Sequence, residues 1–403
     1  MHNFHHDIVQ SFAHVMIDSF KKIIYNALIE SEIKMRVLII NPILFTAEND
    51  DIPQVFSIKD TMIYSLCMAF LECGHEPVLV AASAYRPLLE EDYPFEVKWM
   101  KCICKKIFKP RYLPLLKGLG RYLRKSKRDF DYIISSEVFS LTSLQCVIWA
   151  KSKLIIWHEL GAHQKLLKQI PSKLWYNCVA RLFMRFVLVV PRSKRASEFI
   201  SVYCQNVADT FIDHGVDLKK IGFSKEKEEY FVVVSQLIKR KNILNIIHIF
   251  HDFIKESDMT YQLRIIGEGE LKEELQEEAV RLGLKNNVIF YGKMNHQEML
   301  PILQKAKALL IDTQKDNSMV SIVESIAAGT PILTNSVPFN ADYIKRENLG
   351  IVKDNWSTTE LKMICDKNAV YVKNCLIYRD KLSAEYNVKQ FNLLNDQKRN
   401  NSK

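Results

Sequence analysis

Three cations stand in a row at Lys239, Arg240 and Lys241, just after an apolar run of strand length (Tyr230 to Val234) and just before an apolar helical pattern at Ile243, Leu244, Ile246, Ile247 and Phe250. A strand-to-helix turn already favours anions, because the first amides of the helix have no intrahelical acceptor and the helix dipole is positive there. Cations added to such a turn suit a diphosphate; a solvated loop is the other reading. A second stretch, Asp312 to Pro331, holds Asp316 and Glu324 eight residues apart. The pattern predicts a helix starting near Ser318. Asp316 is then in the loop before it and Glu324 about two turns in. The Ser318, Met319 and Val320 amides would face a ligand, and the carboxylates would accept from vicinal hydroxyls of a ribose or sugar. The plainer reading makes Asp316 a helix-capping residue and Glu324 a surface residue. Against it, Ser325, Ile326, Ala327 and Ala328 make the helix nearly apolar, where an unpaired carboxylate is costly.

Two further constellations are weaker. Gly267-Glu268-Gly269 follows a strand and precedes a helix near Leu271, which lets backbone approach a ligand closely. Lys272 stands where a dinucleotide fingerprint needs its third Gly. Trp157-His158-Glu159-Leu160-Gly161-Ala162-His163 ends another strand. Its two histidines are five apart with a Gly between, whereas a shared metal needs four-residue spacing on one helix face, so no metal is expected. His158 is a candidate catalytic group or a packed core histidine.

The elements that position these residues alternate. Buried-strand runs begin at Arg36, Glu76, Asp131, Lys153 and Phe186, then again at Tyr230, Leu263, Val288, Ala308 and Ile332, with helical patterns between them. That alternation predicts parallel βαβ units and open doubly wound sheets, whose ligands sit beyond the carboxyl ends of the strands. The expected division is an N-terminal helical extension at 1–34 (apolar positions at 8–30), a Rossmann-like domain at 35–223, a second at 230–375 after the charged run Ser224 to Glu229, and a C-terminal helix and tail at 376–403. The two domains would face each other across a cleft.

Composition suits a globular chain: 403 residues, 48% hydrophobic and 25% charged, with only 12 Gly and 12 Pro. Nine cysteines in no disulfide or zinc spacing point to a reducing compartment, and no apolar run has membrane-spanning length. A cytoplasmic protein is expected, peripheral on the inner face of the cell membrane. The net charge of +10 is concentrated forward: the first 220 residues hold 30 Lys and Arg against 22 Asp and Glu, and residues 101–128 hold eleven bases and no acid. Apolar residues interleave with those bases, which suits an anionic membrane surface or a phosphate-bearing acceptor as well as a solvated face. No nucleic-acid motif accompanies the charge.

The segment from Val232 to Thr334 resembles the C-terminal domain of retaining glycosyltransferases of the family-4 type, which have the GT-B fold. Ser235-Gln236-Leu237-Ile238-Lys239-Arg240-Lys241-Asn242 resembles the family's Gly-Arg-Leu-x-x-x-Lys-Gly loop. Gly267-Glu268-Gly269 with Val288-Ile289-Phe290-Tyr291-Gly292 resembles its Gly-x-Gly and Val-x-Phe-x-Gly pieces. Asp316 to Glu324, followed by Ser325-Ile326-Ala327-Ala328-Gly329-Thr330-Pro331, resembles its Glu-x7-Glu signature. In the first domain, Gly74-His75-Glu76 and Asp213-His214-Gly215-Val216-Asp217 fall where the family has characteristic turns. The chain departs at Gln236 (usually Arg), Asp316 (usually Glu) and Met319 (usually Gly).

The resemblance implies an α/β enzyme that moves a sugar with retention from a nucleotide-diphosphate sugar to a glycan or lipid-linked acceptor, in capsule or exopolysaccharide synthesis. It needs neither metal nor cofactor. Lys241, Arg240 and the helix start at Ser318, Met319 and Val320 would hold the diphosphate, with Gln236, Gly267 and Asn317 in the donor loops. Glu324 would hold the ribose, Asp316 the transferred sugar, and His158 would lie near that sugar and the acceptor. A nucleotide-sugar epimerase or phosphorylase, or a non-catalytic nucleotide-sugar-binding assembly subunit, fits the same scaffold; a Rossmann oxidoreductase is disfavoured by the missing third Gly.

Overall fold

The computed structural model describes residues 34–44, 54–103, 114–164, 166–257 and 260–400. The expected helix at 8–30 and residues 104–113 of the basic segment lie outside these. The described chain forms two parallel six-stranded sheets. The first contains β1 (Arg36–Ile40), β2 (Glu76–Ala82), β3 (Glu96–Met100), β6 (Tyr132–Ser136), β7 (Leu154–His158) and β8 (Leu188–Pro191), in the order β3-β2-β1-β6-β7-β8. A short antiparallel pair, β4 (Cys102–Ile103) and β5 (Leu115–Leu116), stands apart from it. The second sheet contains β9 (Tyr230–Val234), β10 (Gln262–Ile266), β11 (Val288–Gly292), β12 (Ala308–Ile311), β13 (Ile332–Thr334) and β14 (Gly350–Val352), in the order β11-β10-β9-β12-β13-β14. The strands are parallel because each is followed by a crossover too long for a hairpin and able to form a helix. Both orders reverse direction once, between β1 and β6 and between β9 and β12. That reversal opens a crevice at the strands' carboxyl ends.

Helices cover both faces of each sheet. In the first domain, α2 (Leu119–Ser126), α3 (Leu141–Ala150), α4 (Ile170–Leu174) with the π-helix that continues it (Trp175–Met184), and α5 (Lys194–Ser201) pack over one face; α1 (Met62–Glu72) packs over the other. In the second, α6 (Ile243–Lys255), α7 (Lys272–Arg281) and α11 (Thr358–Asp366) cover one face, and α8 (His296–Lys305), α9 (Val320–Ala327) and α10 (Ala341–Arg346) cover the other. The central strands β9 and β12 read as unbroken apolar runs because they are buried on both sides.

The passage between domains lies earlier than the charged run suggested. Val216 and Ile221 already belong to the second domain's core, and Lys227 of the expected linker is buried there, donating to Gln304 O and to Thr330 Oγ1 (3.0 Å). The chain crosses at Gly215–Val216 and returns beside itself after α12 (Asn368–Tyr378). Val216 N donates to Leu382 O (2.9 Å) and Ala384 N to Val216 O (3.0 Å). A Cβ on Gly215 would lie 2.6 Å from Ala384 Cα, so only Gly permits this approach. The returning strand of chain becomes α13 (Ala384–Asn400), which lies on the first domain against α1 and buries Val388 and Phe391 in its core. The Phe391 ring meets Trp157 edge-on at 5.7 Å, and Asn392 bridges Tyr132 Oη (2.8 Å) and His75 Nε2 (2.9 Å).

Phe391→Ala therefore removes a fully buried ring from the first domain although it lies near the end of the chain. A loss of about 3–5 kcal/mol is expected in denaturant unfolding followed by Trp157 fluorescence; a loss below about 1 kcal/mol would contradict this packing.

Candidate functional site

The crevice of the second sheet gathers most of the residues singled out above. Lys239–Lys241 form a single 3-10 turn after β9, and Asn242, with φ +48°, leads into α6. The loop after β12 folds onto that turn. Gln314 N donates to Arg240 O (2.8 Å), Arg240 Nη1 donates to Lys315 O (2.8 Å), and Asn242 and Asn245 both donate to Asp312 Oδ2 (2.6 and 2.7 Å). Asp316 is the junction: Arg240 Nη1 lies 2.9 Å from Oδ1, Lys241 Nζ 2.8 Å from Oδ2, and the Thr313 hydroxyl donates to Oδ2 (2.6 Å). The Lys241 and Asp316 side chains are only 10% and 12% exposed. Burial pulls the Lys241 ammonium below its ordinary pKa, and Asp316 opposes that shift. Asp316 thus serves as counter-ion to the two cations expected to hold a diphosphate.

α9 begins at Val320, two residues later than the sequence pattern placed it. Met319 is its cap residue in extended conformation, and its amide donates to Asn340 Oδ1 (2.6 Å). One of the three expected ligand-facing amides is therefore taken by the protein. Ser318, another, has a buried hydroxyl beside Asp213 with no aligned hydrogen bond. α6 and α9 cover opposite faces of the sheet, so their N-termini flank the reversal between β9 and β12, the arrangement that concentrates positive dipole ends on one spot.

Glu324 is buried in the second turn of α9 and is not a surface residue. Burial pushes its carboxyl up to about 7. The neighbouring polar side chain is His296, at the start of α8, with Nε2 3.4 Å from Oε1. A histidine at the first position of a capped helix gave no sequence signal for this contact.

Gly267 and Gly269 let their turn lie against a neighbouring loop. At Gly267, φ +145°, a Cβ would collide with Ser235 O, and one on Gly269 would reach Leu237 backbone. The turn is laid against Ser235–Leu237, with Leu237 N donating to Glu268 O (2.9 Å) and Leu271 N to Leu237 O (3.0 Å). It props the loop holding half-buried Gln236.

The first domain meets this crevice through the end of β7. His158 is fully buried, stacked on Phe199 (6.3 Å, 17°) and edge-on to Tyr176 (6.4 Å). Its Nδ1 lies 2.8 Å from Glu137 Oε2, and Nε2 has no protein partner. Burial alone would raise the Glu137 carboxyl, but His158, Arg192 and the Glu159 amide together hold it below the usual range. Next to it, Glu159 pairs with Arg192 (3.0 Å), whose guanidinium lies 3.7 Å over Trp157. Asn317 Nδ2 reaches across to Glu159 Oε1 (3.4 Å), and Gly161 packs against Phe339. Thus His158 and Asn317 come together at one cleft, through Glu159. Neither Glu137 nor the Glu159–Arg192 pair was assigned a role from sequence. His163 bonds Ser172 Oγ (3.1 Å) and Tyr203 Oη (3.2 Å). Among the described residues no three His, Cys, Asp or Glu converge as a metal site.

Residues 217–364 match the family model for glycosyl transferases group 1, a span containing every donor-side residue above. Over 178 residues the chain is 27% identical to the O-antigen chain mannosyltransferase RfbU of Salmonella typhimurium, covering 40% of this chain and 48% of that protein. Over 131 residues it is 26% identical to the alpha-monoglucosyldiacylglycerol synthase of Streptococcus pneumoniae, covering 32% and 29%. The chain thus spans about half the length of the first relative and under a third of the second. The fold matches that of Anabaena HepE in complex with UDP and glucose, with TM-score 0.61 and 13% identity, covering 90% of this chain and 100% of that one. The architecture is GT-B, as the family resemblance implied, with the two doubly wound sheets expected from the alternation of strands and helices.

A carboxyl whose pKa is raised on folding favours the fold while protonated. That contribution is complete below the unfolded value of 4.5 and is lost as pH climbs through about 7. Wild type should therefore lose Tm relative to Glu324→Gln between those two pH values; parallel Tm profiles would contradict the burial of an ionisable Glu324.

Proposed function

We propose that this chain, a glycosyl transferase of group 1 by its second domain, moves a sugar with retention from a nucleoside-diphosphate sugar to a glycan or lipid-linked acceptor. The observation that carries the reading is the meeting of Lys241 and Arg240, from the end of β9, with Asp316, from the end of β12, at the crevice between the α6 and α9 N-termini. The chemistry asks for this. As the bond from the sugar's anomeric carbon to the diphosphate lengthens, negative charge gathers on the departing oxygen, and fixed cations and helix dipoles in a water-poor crevice stabilise it. A donor diphosphate would take Lys241 and Arg240 from Asp316. The released carboxylate would then accept from a hydroxyl of the transferred sugar. Glu324, buried beside His296, would take the ribose diol.

Transfer with retention needs no dedicated base. The acceptor hydroxyl oxygen bonds to the anomeric carbon on the face the diphosphate leaves, and its proton passes to the departing phosphate oxygen. His158 is assigned to the transferred sugar, its Nε2 being the ring nitrogen with no protein partner. Because the ring is fully buried here, that contact requires the cleft between β7 and the Asn317 loop to open. No metal ion or cofactor is required in this scheme. The named relatives act on an O-antigen chain and a glycolipid, which favours a cell-envelope glycan pathway, capsule or exopolysaccharide synthesis among them, on the cytoplasmic side of the membrane.

Screening nucleotide sugars by thermal shift, then assaying the hit with EDTA present, tests this. Lys241→Ala and Glu324→Ala should each abolish the shift, Lys241→Ala should lower kcat/KM by about 10²–10³-fold, and the product anomer should match the donor's by NMR. A shift retained in both variants, an inverted product, or hydrolysis and epimerisation without acceptor would overturn the reading.

A further inference from the structure

We propose that the helical segment from Ile170 to Phe186 is a membrane-docking face that lays the first domain on an anionic lipid surface. The segment is amphipathic in an unusual sense. Its inner side buries Trp175, Tyr176, Ala180 and Met184 in the core. Its outer stripe is not polar: Ile170, Leu174, Leu182 and Phe186 are 64%, 63%, 75% and 62% exposed. Ile170, Leu174 and Leu182 project from this one helical stretch, and Phe186 follows in the turn after it. Exposed Val202 adjoins them, since Arg181 Nη2 donates to its carbonyl (3.4 Å). Isolated exposed apolar residues need no explanation, but a contiguous stripe of large ones marks a docking surface.

The occupant follows from the charges set into that stripe. Lys173, Arg181 and Arg185 alternate with the apolar side chains and are exposed. Between Glu159 and Glu198 the sequence has eight Lys or Arg and no Asp or Glu. Protein interfaces deplete Lys at their centre, whereas a bilayer interface takes apolar side chains below the headgroups and long cationic ones at their level. The face differs from the basic segment 101–128, where the sequence first suggested lipid contact. In the described part of that segment, Leu119 and Leu123 of α2 point into the core. Position adds a reason. Ser172 at the start of the segment holds the loop after β7, through His163 Nδ1 (3.1 Å) and the Gln164 amide (3.3 Å), and Tyr176 meets the His158 ring. A bilayer under Ile170 would thus present headgroups beside the interdomain cleft. No helix of the described residues is long and apolar enough to span a membrane, so contact would be in-plane.

Vesicle flotation tests this without donor or acceptor, so it stands or falls separately from the transfer reaction. Wild type should float with phosphatidylglycerol–phosphatidylcholine vesicles and not with phosphatidylcholine alone. Leu182→Ser/Phe186→Ser and Arg181→Gln/Arg185→Gln should each reduce the partition coefficient about tenfold or more, with Tm and near-UV circular dichroism unchanged. Arg124→Gln/Lys125→Gln, on exposed positions of α2, should change it less than about twofold. The proposal is overturned if wild type does not float with anionic vesicles, if Leu182→Ser/Phe186→Ser floats as wild type does, or if the α2 variant loses as much. It is equally overturned if size exclusion shows a dimer that this double substitution disperses while vesicle binding is absent, which would make a second copy the occupant.

Discussion

One carboxylate ties the candidate site together. Asp316 accepts from Arg240, Lys241 and Thr313 at once, and the first two come from the far side of the sheet's reversal. Without it, and with no anion in its place, half-exposed Arg240 and largely buried Lys241 would repel each other, and Lys241 would gain no offset for lost hydration. In the donor-free site it joins the loop after β9 to the loop before α9. Asp312, taking Asn242, Asn245 and Asn335, repeats the device one layer deeper. Both loops are therefore positioned by charge and amide contacts, while the sheet beneath them is positioned by its backbone ladders and apolar packing.

The two domains are coupled by a different set of groups. Asp213 and His214 lie half-buried at the crossing; loss of hydration raises the first carboxyl and lowers the imidazole. Asn340 joins them to the site by bonding Asp213 Oδ2 (3.4 Å) while accepting from the Met319 amide. Gly215 allows the outgoing and returning chain to run side by side, and α13 then fastens the end of the chain to the first domain. A cleft that opens about this double crossing would move Glu159 away from Asn317, a single long contact between exposed or half-buried groups.

The sheets were legible because parallel strands buried on both faces leave dense apolar runs, and all ten strand runs read from the sequence are strands here. β3 was missed: Glu96–Met100 is an edge strand with mixed polarity and no such run. At the site, the eight-residue spacing of Asp316 and Glu324 and the cation turn were visible, since charge in an apolar frame stands out. What those charges touch was not. Lys241 with Asp316, Glu324 with His296, and His158 with Glu137 are pairs 21 to 75 residues apart, set by which strands are neighbours and not by local pattern. The Gly267–Gly269 turn was visible as a pair of glycines, but its contact with the Ser235–Leu237 loop was not, because that loop lies about thirty residues earlier, at the end of the neighbouring strand.

Asp316 and a donor diphosphate are held to share the same two cations in turn. Titrating the bare nucleoside diphosphate of the preferred donor into wild type and Asp316→Asn by calorimetry tests that sharing directly. The account predicts that Asp316→Asn binds the diphosphate at least as tightly as wild type while losing sugar transfer. A diphosphate affinity weakened about tenfold or more in Asp316→Asn would contradict it, because the carboxylate would then be building the anion site and not standing in for the anion.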